Sequence, residues 1–106
     1  MKLTTTEQIP GYELKEILGI VKGSTIRAKH IGRDIMAGLK QIVGGELKGY
    51  TEMIIDARKQ AFTRLKEEAK ELNADAVVNI RMTTSQIMQG ASEILVYGTA
   101  VKLKKL

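Results

Sequence analysis

The sequence predicts an α+β domain in which a small, mostly antiparallel sheet packs against two helices. Three observations carry that expectation. Ala76 to Thr83 alternates apolar and polar residues, as a half-buried strand does. Ile94 to Val101 is apolar at nearly every position, as in a strand covered on both faces. Between Thr51 and Leu72, apolar residues recur at steps of three and four, the spacing of one helix face.

Taken in order, Leu3–Thr6 is a short strand candidate, and Pro10-Gly11 is turn chemistry. Tyr12 to Lys29 reads as extended, because Leu14, Ile17, Leu18, Ile20, Val21 and Ile26 interleave with charged residues. Gly19 marks a bulge candidate and Lys22-Gly23-Ser24 a turn candidate, so the segment is either one bent strand or a hairpin. A first helix is expected from the N-cap Asp34, with Ile35, Leu39, Ile42 and Val43 on one stripe and Gly44-Gly45 at its end. The second helix places Ile54, Ala57, Ala61, Leu65, Ala69 (or Glu68) and Leu72 on its buried side and ends at Asn73, which tolerates the left-handed conformation. In the strand that follows, Val78, Ile80 and Met82 are assigned to one face, with Asn79, Arg81 and Thr83 on the other. Ser85 to Ser92 is expected to be a loop that carries the adjacent apolar pair Ile87-Met88.

The 106 residues form a single domain, 1–106, with one core. Apolar residues make up 43% and charged residues 27%, a globular profile. The absence of cysteine excludes a thiol nucleophile, a disulfide scaffold and any Cys-ligated zinc or iron–sulfur site. A single histidine excludes a two-histidine zinc helix. The N-terminal residues have no apolar leader and no run reaches the length of a membrane span, which makes the cytoplasm the expected location. Net charge is +5; it favours solubility and a weak attraction to polyanions.

Several short motifs follow one another in a recognisable order. They include Ile9-Pro10-Gly11-Tyr12-Glu13-Leu14, Ile31-Gly32-Arg33-Asp34-Ile35, Val43-Gly44-Gly45-Glu46 and Tyr50-Thr51-Glu52-Met53. Leu18-Gly19, Ala57-Arg58, Glu68-Ala69, Ala76-Val77-Val78, Thr84-Ser85-Gln86-Ile87-Met88-Gln89-Gly90 and Tyr97-Gly98-Thr99-Ala100-Val101 complete the set. From about Thr4 to Val101 the chain resembles the YbjQ-like family, whose members carry a heavy-metal-binding label. That resemblance implies a dodecin-like α+β subunit assembled as a homopentameric ring, and no established reaction. Where the family commonly has Gly-Ala-Asn-Ala after the long helix, this chain has Asn73-Ala74-Asp75-Ala76. Asn, like Gly, accepts positive φ, so the helix stop is expected to survive.

The metal label has a chemical test. Soft metals favour thiolates, thioethers and imidazoles, and the chain offers no thiolate, one imidazole in His30 and five methionines. The methionines read as gap-filling apolar residues. His30 remains a weak metal candidate; a metal ion is not supported by the Cys and His content, while a hard-cation site from Asp34, Glu46 or Glu52 stays open in a ring. The densest polar cluster, Arg33, Asp34, Glu46, Tyr50 and Glu52, is a candidate ligand site at a subunit boundary. There Arg33 would hold an anion and Tyr50 would supply a hydroxyl. The same residues also read as a helix cap and inter-subunit pairs. No P-loop pattern is present.

Ile87, Met88, Gln89 and Tyr97 are the candidate subunit-interface residues, since exposed apolar residues mark contact surfaces. Catalysis is not supported, because no spacing selects a carboxylate pair and Thr84-Ser85 has no nearby base. Nucleic-acid binding is disfavoured too: the basic residues are scattered, and only Phe62 and three tyrosines could stack on bases. The expected function is a ring-forming module that binds a small ligand or ion at a subunit boundary or pore. The alternative is a structural or adaptor oligomer without a small ligand. Self-association is the partner expectation, with no membrane partner.

Overall fold

The computed structural model describes residues 1–27 and 48–106. The expected first helix lies outside these residues, as do His30, Arg33, Asp34 and Glu46. What is described is one helix on a four-stranded mixed sheet: β1 (Lys2–Leu3), β2 (Tyr12–Arg27), α1 (Lys48–Glu71), β3 (Ala76–Met88) and β4 (Ala91–Lys105). The strand order is β1-β3-β4-β2. β1 runs parallel to β3, whereas β3–β4 and β4–β2 are antiparallel.

The N-terminal segment reaches β2 through Ile9-Pro10-Gly11-Tyr12. The Tyr12 amide donates to the Ile9 carbonyl at 3.1 Å and Gly11 has φ 86°. Proline at the second and a positive-φ glycine at the third position are the requirements of a type II turn. β2 is one continuous strand of 16 residues. Its register with β4 slips between Ile17 and Gly19, where Gly19 takes φ 142°, so the expected bulge is present. Of the two readings of this segment, one bent strand is what forms and the hairpin is not: Lys22, Gly23 and Ser24 pair with Tyr97, Val96 and Leu95 in unbroken register. Gly23 is there because α1 passes over it, and not to reverse the chain.

α1 turns Ala57, Ala61, Leu65 and Ala69 to the sheet, all fully buried. Three alanines on one face let the helix lie close. They pack with Val21, Val77, Ile80, Ile94, Val96 and Ala100 in the main core. Burying a Leu or Val side chain contributes about 1.5–3 kcal/mol, so this layer dominates the fold's stability. Thr25, buried beneath the helix, donates its hydroxyl to the Ala57 carbonyl at 2.8 Å, and this satisfies its polar atom. The helix ends as expected at Asn73, with φ 59°. The Ala74 amide reaches back to the Ala69 carbonyl and the Asn73 amide to Lys70, which is a Schellman stop. Leu72, expected on the buried stripe, is exposed at this end.

β3 contains the other departure from a regular strand. Val78 opposes Thr99 and Arg81 opposes Tyr97, so Asn79 and Ile80 together face one residue of β4. Asn79 takes φ 54°, and the N-terminal segment fastens the bulge: the Asn79 amide donates to Thr6 O and the Ile80 amide to Thr4 O. This extra residue reverses the facing. Val78 belongs to a second cluster on the back of the sheet with Ile9, Ala76 and Val101, while Ile80 lies in the main core under α1. The assignment of Val78, Ile80 and Met82 to one face is corrected accordingly.

The expected loop at Ser85–Ser92 is corrected as well. β3 continues to Met88, the chain turns at Gln89-Gly90 with Gly90 at φ 79°, and β4 begins at Ala91. Thr84, Ser85 and Gln86 pair with Ile94, Glu93 and Ser92. The hairpin lengthens the molecule, whose principal extents are 56 × 28 × 17 Å. Its radius of gyration, 17.4 Å, exceeds the roughly 13 Å of a compact chain this long.

Candidate functional site

The back of the sheet, away from α1, is divided in two. Its lower half is closed by the N-terminal segment: Ile9 covers Ala76, Val78 and Val101, with Tyr12, Leu14 and Leu103 around them. The upper half has no cover among the described residues. Register places Ile17, Ile20, Lys22, Ser24 and Ile26 of β2 beside Val101, Thr99, Tyr97, Leu95 and Glu93 of β4 on this face. Here Ile17 is 70%, Ile20 78%, Ile26 55% and Tyr97 40% exposed. β4 is therefore not covered on both faces throughout, as its composition suggested; Val101 is, and Tyr97 is not.

The hairpin arm borders this face. Every residue from Arg81 to Gly90 is exposed, with Ile87 at 50% and Met88 at 66%. The four residues expected to form an interface, Ile87, Met88, Gln89 and Tyr97, thus all lie at the surface. Ile87, Met88 and Gln89 sit at the arm's tip, and Tyr97 sits on the bare sheet face. Ile17, Ile20 and Ile26 are the residues that reading the sequence missed as part of such a surface. The signal was the apolar alternation of β2, which was assigned to strand formation alone.

Of the expected ligand-site residues, Glu52 is exposed in the N-terminal part of α1. Tyr50 belongs to the same helix by its backbone. Arg33, Asp34 and Glu46 lie outside the described residues, so the cluster is not brought together within them. A surface groove of about 430 Å³ is lined by Glu7, Gln8, Tyr12, Glu13, Leu14 and Leu106. None of the expected site residues borders it, and the Lys2 ammonium lies 5.1 Å from the centroid of the Tyr12 ring. Among the described residues no three His, Asp or Glu side chains gather where they could hold a metal. None of the described helices is long and apolar enough to cross a membrane.

The polar contacts at the base of the sheet are structural. Asp75 accepts the Leu103 amide at 2.9 Å through Oδ2, and its Oδ1 lies 3.8 Å from Lys102 Nζ. Arg81 donates to the carbonyls of Thr5 and Ile80, which ties the N-terminal segment to the bulge. Arg64 donates to the Ser24 carbonyl and fixes α1 to β2.

Comparison with known proteins agrees with this architecture. A UPF0145 protein of Colwellia psychrerythraea is 66% identical over 99% of this chain and all of its own length. One from Archaeoglobus fulgidus is 63% identical over 96% of this chain and 94% of its own. One from Thermotoga maritima is 58% identical over the full length of both. A crystal structure of a DUF74-family protein of unknown function from Pediococcus pentosaceus shares the fold, with a TM-score of 0.64 and 98% coverage of both chains at 17% identity. The YbjQ family model, described as "Putative heavy-metal-binding", matches residues 1–104. With almost the whole chain under that model and full-length relatives near 60% identity, this protein belongs to the YbjQ (UPF0145) family.

Proposed function

We propose that the chain acts as a ring-forming oligomer that binds a small ligand or ion at a subunit boundary or central pore. Five copies is the number the family resemblance implies. The observation that carries this reading is the upper back face, uncovered among the described residues, where Ile17, Ile20, Ile26 and Tyr97 are exposed. Exposed large apolar side chains gathered on one face, here interleaved with Lys22 and Ser24, mark a contact surface, and a second copy is its simplest cover.

The binding half of the reading rests on the polar set Arg33, Asp34, Glu46, Tyr50 and Glu52. The described part of one subunit gathers no metal cluster and the chain has no cysteine. A cation bound by this set would draw on the carboxylate oxygens of Asp34, Glu46 and Glu52, and hard cations suit such donors better than soft ones do. A ring multiplies each ligand by its symmetry. Five copies carry a charge of about +25, which also favours an anion held by Arg33.

The second reading is an adaptor oligomer with no small ligand. Native mass spectrometry on tag-free protein purified without chelators separates the two. An assembly with a reproducible extra mass supports the binding module, and a bare assembly supports the adaptor. A monomer overturns both. A melting-temperature panel of metals and anions gives an independent reading, because a ligand at a hundredfold excess over its Kd stabilises by about 2.7 kcal/mol.

A further inference from the structure

Backbone pairing along β3 stops short of its end. Up to Ile80 its outer edge is occupied by β1 and the N-terminal segment, whose last hydrogen bonds are those of Thr4 and Thr6. From Met82 to Met88 no described strand lies outside it, and both of its faces are exposed. The sequence Met82-Thr83-Thr84-Ser85-Gln86-Ile87-Met88 has no charge, proline or glycine. Its register with β4 is regular from Arg81 to Gln86. Folded proteins normally blunt a free edge with charge, proline, a bulge or a short strand. From Met82 to Gln86, where no described strand lies alongside, none of these is used; the one irregularity of the stretch, a register shift between Gln86 and Met88, lies at the arm's tip.

At the opposite margin of the same three strands lies the other edge. β2 from Ile20 to Ile26 is unbulged, and no described strand lies beyond it. The two edges are level: Leu95 of β4 pairs with Ser24 on one side and Thr83 on the other. Both strands are antiparallel to β4, so they point the same way.

We propose that the β3 edge Met82–Met88 pairs in parallel with the β2 edge Ile20–Ile26 of a second copy of this chain. The pairing is head-to-tail. Each copy uses one edge of each kind, so the contact repeats until the assembly closes. A two-fold pairing of β3 with β3 would stop at a dimer and leave the β2 edge open. This inference rests on the oligomeric reading above and specifies its contact.

The test uses hydrogen exchange and cross-linking together with native mass spectrometry. In the assembled protein, amides along Met82–Met88 should exchange far more slowly than a solvent-facing edge does. The chain's lack of cysteine makes disulfide trapping clean. S24C combined with T83C or S85C should, on oxidation, give a ladder of covalent multimers beyond the dimer, because adjacent strands bring Cα atoms within disulfide range. S24C, T83C and S85C alone should give no ladder. An assembly of unchanged mass whose Met82–Met88 amides exchange freely overturns the edge pairing and leaves the oligomer standing. Efficient dimer formation by S85C or T83C alone overturns the head-to-tail arrangement in favour of a two-fold one. A monomer removes both the inference and the reading beneath it.

Discussion

Gly23 of β2 lies directly beneath Ala61 of α1. A Cβ built on Gly23 would strike the Ala61 carbonyl oxygen and stand 2.5 Å from the Leu65 amide nitrogen. The obstacle is helix backbone, which has no rotamer to yield. The helix therefore rests on the sheet at a position of β2 where no side chain intervenes.

G23A is accordingly expected to displace α1. The cost should be at or above the upper end of the roughly 1–3 kcal/mol typical of overpacking. Urea denaturation would measure it. A midpoint unchanged from the parent would mean that the helix does not sit where it is described.

The bulge at Asn79 makes a paired prediction. A left-handed residue with a Cβ costs about 1–2 kcal/mol, and Asn carries less of that penalty than other L-residues. N79A should destabilise by about 1 kcal/mol, whereas N79G should be near neutral. Equal losses in both variants would show that the side chain, and not the backbone angle, matters at this position.

Asp75 joins the helix exit to β4 through the Leu103 amide. D75A should lose about 1 kcal/mol with that hydrogen bond, and D75N, which keeps an acceptor oxygen, should retain most of it. K102M should change stability by less than about 0.5 kcal/mol, because an exposed ion pair contributes little. A larger effect for K102M than for D75A in thermal melts would reverse this ranking.

The bare face offers the sharpest separation of fold from assembly. Ile17 and Ile20 are largely exposed among the described residues, so I17K/I20K should leave monomer stability within about 0.5 kcal/mol. If the face is the contact between copies, the same variant should fall apart to smaller species with its circular dichroism unchanged. Light scattering after size exclusion reads the mass, and an intact assembly would take these residues out of the interface. I87D/M88D asks the same of the arm's tip.

How much of this was legible in the residues depends on whether the local pattern and the tertiary reason coincide. Pro10-Gly11, Gly19 and Asn73 were readable because each backbone demand is met by the residue type that stands there. The helix face Ala57–Ala69 was readable for the same reason. Gly23 left strand and hairpin both open, since a glycine between Lys22 and Ser24 has turn chemistry and only the helix above it reveals its purpose. Val78 and Ile80 were placed together because period-two reasoning has no way to see an inserted residue at Asn79. The extension of β3 to Met88 was hidden for a third reason. A strand with neither face buried has no alternation to show. Of the candidate ligand residues, Arg33, Asp34 and Glu46 fall outside the described residues, so the structure bears on the interface set and not on them.

The order β1-β3-β4-β2 also constrains how the molecule is made. β4, which holds the sheet together, is the last of the described strands to be synthesised, and β1 can pair only once Ala76 and Val77 exist. The four-stranded sheet cannot form until β4 has left the ribosome. Until then β2, with Ile17 and Ile20 already exposed, must wait as an unpaired apolar segment, the condition under which nascent chains aggregate. Ribosome-stalled chains ending before Val96 should accordingly remain protease-sensitive throughout, and protection should appear in one step once β4 is free to fold.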